Sequence, residues 1–164
     1  MKTNLIRILA LSAAAAGAIY AQSADEAQAA QANAQRAGGA SSSIVGVWDV
    51  SVTVVNCQTG GLIRNVHSVQ MYQPDGAFTE TTNTGTRGSS VGYWYRETGQ
   101  IFGASYFFFR YNPDGSFASF AKAANKITMT PDGSGFNVTA TIQDYDANSN
   151  LVSTGCVTQT AKRL

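Results

Sequence analysis

The 164 residues contain one histidine, His67, and any acid–base chemistry must start from it. An imidazole works as a general acid or base only with a carboxylate or nucleophile beside it. Asp49, on the neighbouring predicted strand, and Glu80 and Glu97 are the candidate partners, and none shares a motif with His67. Alternation with Val69 and Met71 predicts that His67 leans inward. There it would be a partly buried histidine bonded to a neighbour, or a contact for a bound molecule. One histidine and two cysteines offer no ligand set for zinc or haem. No catalytic residue, metal or cofactor is expected.

Cys57 and Cys156 are the only cysteines, and no Cys-x-x-Cys redox spacing exists. They fall at the end of the first predicted strand and within the last. If the strands close into an up-and-down barrel, those two strands are neighbours and a disulfide would bridge the seam. The alternatives are two buried thiols or an intermolecular pair. For a closed loop of about 100 residues the entropy model gives a bond worth about 4–5 kcal/mol, less any strain.

The remaining chemistry-bearing residues are aromatic. Trp94, Phe102, Tyr106 and Phe108 would either line a cup or pack it solid. Tyr93, Tyr95 and Tyr106 could meet a ligand through a phenol while burying the ring. Arg110 follows Phe108 on the same strand face. It is a solvated strand position, like Arg64 and Arg96, or a carboxylate anchor at a pocket mouth.

These residues sit on short strands. Trp48, Val50, Val52 and Val54 alternate with polar residues at the period of a half-buried strand. Residues 66–72, 77–82, 91–96, 101–112, 116–123, 136–144 and 151–161 read the same way, and 126–130 is a short strand or the tail of its predecessor. Eight or nine strands with almost no room for a helix imply an all-β barrel or sandwich. Tyr72-Gln73-Pro74-Asp75-Gly76-Ala77-Phe78 recurs as Tyr111-Asn112-Pro113-Asp114-Gly115-Ser116-Phe117, and more loosely at Thr130-Pro131-Asp132-Gly133. Such Pro-Asp-Gly corners join neighbouring antiparallel strands. In residues 101–112 both faces carry large rings, so the outer face needs cover. The spacer described next, a long loop, or a second copy in a homodimer would provide it.

Upstream of the strands the chain changes character. Lys2 and Arg7, the uncharged run 8–18 and small residues ending in Ala21 have the order of a secretory signal, cleaved after Ala21 or Ala18. The run is about half the 20 or so residues that span a bilayer, so no stable membrane span is expected. Residues 1–21 are therefore a leader, 22–43 an Ala/Gln/Ser-rich spacer with local helix propensity, and 44–164 the folded domain. The destination is secreted or periplasmic, where a disulfide can form. Losing Lys2 and Arg7 takes the formal charge from +1 to −1, nine basic residues against ten acidic. Only Lys162 and Arg163 stand together, which argues against a nucleic-acid partner.

Gly46-Val47-Trp48 resembles the Gly-x-Trp opening of the calycin superfamily, which includes the lipocalins. The ordered set Gly46 and Trp48, Asn56 and Cys57, Gly92 and Trp94, Pro113 to Gly115, and Gly155 and Cys156 also resembles a group of exported bacterial proteins. The resemblance implies an antiparallel up-and-down barrel of eight strands with Trp48 plugging its closed end. A basic residue of the last strand, Lys162 or Arg163, would cover that tryptophan. It further implies binding of a small apolar molecule in the barrel. The rival readings are a structural or protein-interaction domain of the cell envelope with a packed lumen and, behind it, a barrel enzyme.

Overall fold

The computed structural model describes residues 43–164. The expected leader, and all but the last residue of the expected spacer, lie outside the described residues. The domain is eight strands: β1 (Gly46–Val55), β2 (Leu62–Tyr72), β3 (Ala77–Thr82), β4 (Ser90–Thr98), β5 (Ile101–Tyr111), β6 (Phe117–Met129), β7 (Gly135–Tyr145) and β8 (Leu151–Arg163). Each pairs antiparallel with the next, and β8 pairs with β1, so the sheet closes into a barrel. That pairing excludes the sandwich. Residues 126–129 belong to β6 because the inward series Ala121, Ala123, Asn125, Ile127 and Met129 runs on without a turn residue.

Three hairpins share one device. At each Pro-Asp-Gly corner the aspartate accepts from the backbone N–H two residues on: Asp75 from Ala77 (3.0 Å), Asp114 from Ser116 (2.9 Å) and Asp132 from Ser134 (3.1 Å). The glycine that follows takes positive φ, 90° at Gly76, 83° at Gly115 and 69° at Gly133. Side chains with a Cβ rarely adopt that geometry.

The β2–β3, β4–β5 and β6–β7 turns, with the start of β1 and the end of β8, gather at one end of the barrel. Trp48 is fully buried there and meets Phe136 edge-on with centroids 4.9 Å apart. Its Nε1–H donates to the Ile44 carbonyl (2.8 Å). Tyr72, Phe102, Ile127 and Met129 complete this end. The rings face Ala121, Ala123, Ala140 and Ala161 from β6, β7 and β8, a large-against-small arrangement that fills the lumen. The Arg163 guanidinium lies over the indole at 4.2 Å, so of the two basic residues considered it is Arg163 that covers Trp48. Gly46 makes room for it: φ is 140°, and a Cβ there would stand 2.7 Å from Arg163 Nη1.

The opposite end, the mouth, carries the β1–β2, β3–β4, β5–β6 and β7–β8 connections. Cys57 and Cys156 form a disulfide there, with Cα atoms 5.1 Å apart, tying the chain after β1 to β8. A disulfide points to an oxidising, non-cytoplasmic environment. No helix among the described residues is long and apolar enough to cross a membrane. The outward positions of β6 to β8 include Lys122, Lys126, Thr128, Thr139, Thr141, Thr158, Thr160 and Lys162.

Candidate functional site

Halfway along the lumen the apolar packing gives way to a layer of polar side chains. The Tyr72 hydroxyl donates to Gln70 Oε1 (2.8 Å), and Gln70 Nε2 donates to Glu80 Oε1 (3.1 Å) and Gln159 Oε1 (3.0 Å). Ser90 Oγ donates to Glu80 Oε2 (2.9 Å). Arg87 Nη2 donates to that same carboxylate oxygen and to Ser90 Oγ (2.8 Å). The Glu80 side chain is 2% exposed and that of Arg87 12%, so the ion pair is held out of water and depends on its hydrogen bonds.

Arg87 reaches this layer because β3 is only six residues long. The following loop, 83–89, continues the β4–β5 ladder towards the mouth: Gly88 N–H donates to Phe109 O and Tyr111 N–H to Thr86 O, each 2.9 Å. That pairing fixes the backbone of Arg87 beside Arg110. The Arg87 guanidinium then lies 3.8 Å over the Phe108 ring. Arg110 approaches the same ring at 5.1 Å and donates through Nε to Asp144 Oδ1 (2.7 Å).

Above the polar layer is a cup of about 50 Å³. Its walls are Val52, Val54, Val66, Ile142 and Val157; its polar lining includes Arg64, Arg87, Arg110, Thr84 and Thr86; its floor is Glu80, Tyr106 and Gln159. Burial, reinforced by the nearby Glu80 charge, pushes the Tyr106 phenol far above its ordinary value. Tyr72 is raised in the same way, by burial first and then by Tyr106 and Glu80. Both phenols are neutral hydrogen-bonding groups at physiological pH.

The residues singled out from sequence divide three ways. Tyr106, Phe108 and Arg110 line the cup. Trp94 and Phe102 pack together nearer the closed end, centroids 5.9 Å apart, with Trp94 Nε1–H donating to Gln73 O (2.8 Å). His67 is a correction: it faces outward, its side chain 56% exposed, with Nε2 3.1 Å from Asp49 Oδ1. The inward series of β2 is Val66, Ser68, Gln70 and Tyr72, so the apolar Val69 and Met71 share the outer face with His67. Polar groups needed inside inverted the pattern from which the lean was read. Asp49 is thus the carboxylate beside His67, but no hydroxyl among the described residues is hydrogen-bonded to the imidazole. Arg110, read as solvated or as an anchor, is half-buried and paired.

Sequence reasoning missed Arg87, which lies in a Thr/Gly/Ser loop with no periodicity to aim it. Glu80 was considered only as a partner for His67. Its spacing from Phe78 placed it on the inward face of β3, and that was the available signal. Among the described residues no three His, Cys, Asp or Glu side chains gather as a metal site.

A second feature lies on the outer face of β4 to β7. Phe107 contacts Phe109 (4.9 Å between centroids) and Phe120 (5.3 Å); Phe109 contacts Phe117 (5.9 Å); Phe120 stacks on Tyr145 (5.1 Å). Phe109, Phe117 and Tyr93 remain 44%, 47% and 59% exposed. A groove of about 540 Å³ beside them is bounded by Val91, Tyr93, Phe107, Lys122 and Gln143 and floored by the small residues Ser105, Ala124 and Thr141.

No protein-family model matches this chain, and no curated protein matches it in sequence.

Proposed function

We propose that this chain is an exported interaction domain of the cell envelope: a calycin-like barrel, filled by its own side chains, that works through its outer surface. The observation that carries this reading is the contrast between lumen and surface. Pockets that engulf a small apolar ligand have roughly 300–1,000 Å³. The cup at the mouth has about 50 Å³, while the outer groove has about 540 Å³ and is edged by exposed rings. The leader-like start and the disulfide support export to the periplasm or medium. The Trp48 plug under Arg163 supports the calycin likeness.

A closed barrel has no free strand edge, so association must be face to face. The outer aromatic face of β4 to β7 is the contact, and its occupant is a second copy. Native mass spectrometry and sedimentation of the protein purified from its own periplasm or medium test this. A dimer is expected, with Phe109→Ser weakening it at least about tenfold as loss of an aromatic anchor does. A monomer at all concentrations overturns the self-association. A stoichiometric co-purified apolar molecule held in the barrel overturns the filled-lumen reading.

A further inference from the structure

The outer groove of about 540 Å³ does not end at β7. A second groove of about 470 Å³ meets it at Ala124 and Thr141 and continues to Cys156 and Val55. Strand register explains the join: Tyr93, Ser105, Ala124, Thr141, Cys156 and Val55 are successive cross-strand partners from β4 round to β1. The short side chains in the middle of that row leave one trough, about 19 Å long from β4 to β8 at four interstrand steps. Lys122 and Lys126 flank Ala124 on the outward face of β6, about 13 Å apart at the strand rise. Neither has an ion-pair partner among the described residues, and no aspartate or glutamate lines either groove. At the β4 end the Tyr95 ring lies over Gly103, where a Cβ would stand 2.3 Å from its Cζ, while the residue remains exposed. Tyr93 is exposed beside it, ring centroids 6.3 Å apart.

We propose that this trough binds a segment of an acidic polysaccharide, a chain of uronic acid type laid across the strands. The lining matches that chemistry part by part. The exposed tyrosine rings take the apolar face of a sugar ring at the β4 end. The hydroxyls of Ser105, Thr139 and Thr141 and the Gln143 amide meet sugar hydroxyls. The two uncompensated lysines meet carboxylates along the chain. An extended acidic peptide fits less well: it adds to sheets through a free strand edge, and a closed barrel has none. The inference rests on the reading that the barrel works through its outer surface. Phe109 and Phe120 form the register row beyond Phe107 and Lys122, and that aromatic patch stays with the second copy.

Titration of the disulfide-bonded protein with a galacturonate hexamer, read from amide shifts of residues 103–105, 122–126 and 139–141, tests the site. Uncharged cellohexaose is expected to bind about tenfold more weakly, because it leaves both lysines without a carboxylate. Added salt should weaken the galacturonate hexamer in the same direction. Lys126→Glu, at an exposed position, should weaken it about tenfold, and Lys126→Arg should retain it. Tyr95→Leu keeps an apolar cover on Gly103 but loses the flat ring, and should weaken it about threefold. Phe109→Ser should weaken the dimer and leave the galacturonate hexamer bound, so a failure of the patch and a failure of the trough are read separately. A monomeric protein that still binds the hexamer sinks only the self-association. Cellohexaose or hexaglutamate matching the galacturonate hexamer, Lys126→Glu leaving it unchanged, Phe109→Ser abolishing it, or no amide shift at millimolar concentration overturns the proposal.

Discussion

Arg163 lies over the Trp48 indole and holds the chain that leads into β1. Its guanidinium carbon is 4.2 Å from the ring centroid, Nη1 donates to the Val45 carbonyl (2.9 Å) and Nη2 to the Ser43 carbonyl (2.8 Å). One side chain of the last strand therefore closes the plugged end and satisfies two carbonyls that no strand pairs. Cation–π attraction and charge-assisted bonds at a partly solvated site predict that Arg163→Ala costs about 1–2 kcal/mol. Arg163→Lys keeps the charge but loses the two-pronged donor, and should recover less than half of that. Denaturant unfolding followed by tryptophan fluorescence measures both.

Cys57 and Cys156 are 99 residues apart in sequence, so their bond restrains nearly the whole unfolded domain. Replacing both by serine is expected to lower stability by about 2–4 kcal/mol, chiefly by freeing the unfolded chain. The denaturant midpoint of the double variant, compared with that of the oxidised protein, gives the value. An unchanged midpoint would show that the bond adds nothing to an already closed barrel.

Alkali should unfold the domain through Tyr72 and Tyr106. Burial raises both phenols above the ordinary value of 10.0, with Glu80 adding its charge against ionisation. An acid whose folded pKa exceeds its unfolded one leaves stability intact below the unfolded value and removes it as pH rises beyond. Stability is therefore expected to hold up to about pH 10 and then fall, with tyrosinate absorbance rising together with loss of the tryptophan signal. Tyr106→Phe should shift that transition to higher pH.

Acid acts on the turns. Asp132 is lowered from 3.8 to about 2, first by the Thr130 hydroxyl and then by the backbone N–H and hydroxyl of Ser134. Asp114 and Asp146 are lowered by bonds to Ser116 and to Asn150. A depressed carboxylate contributes stability above its unfolded value and loses it as pH falls through the folded one. The stability contributed by the β6–β7 turn should thus disappear between pH 3.8 and about 2. Asp132→Asn is expected to lower stability at neutral pH and to flatten the acid limb of the stability–pH curve.

The strands were legible because period-two alternation and Pro-Asp-Gly corners are local signals. Each records which residues face inward or where φ must turn positive. The extent of β6 was legible only in part, since nothing local says whether residues 126–129 pair as a new strand or continue the old one. The reading of His67 failed for a different reason. In β2 the inward set includes Ser68 and Gln70, so apolar Val69 and Met71 marked the wrong face. Gln70 is tolerated inside only because Glu80 and Gln159, from two other strands, accept its amide protons. No window of sequence contains that compensation.

By itself the sequence determined an all-β domain, the positions of its corners and the two cysteines available for a bond. All of these rest on residue type and short-range spacing. Tertiary structure alone decided three things: that β8 closes on β1, that His67 meets Asp49 outside the barrel, and that Arg87 turns into the lumen to Glu80. Each is a meeting of groups from different strands or loops, governed by closure, strand register and loop pairing. The free energy of such a contact depends on what surrounds both partners, and that environment exists only once the barrel has closed.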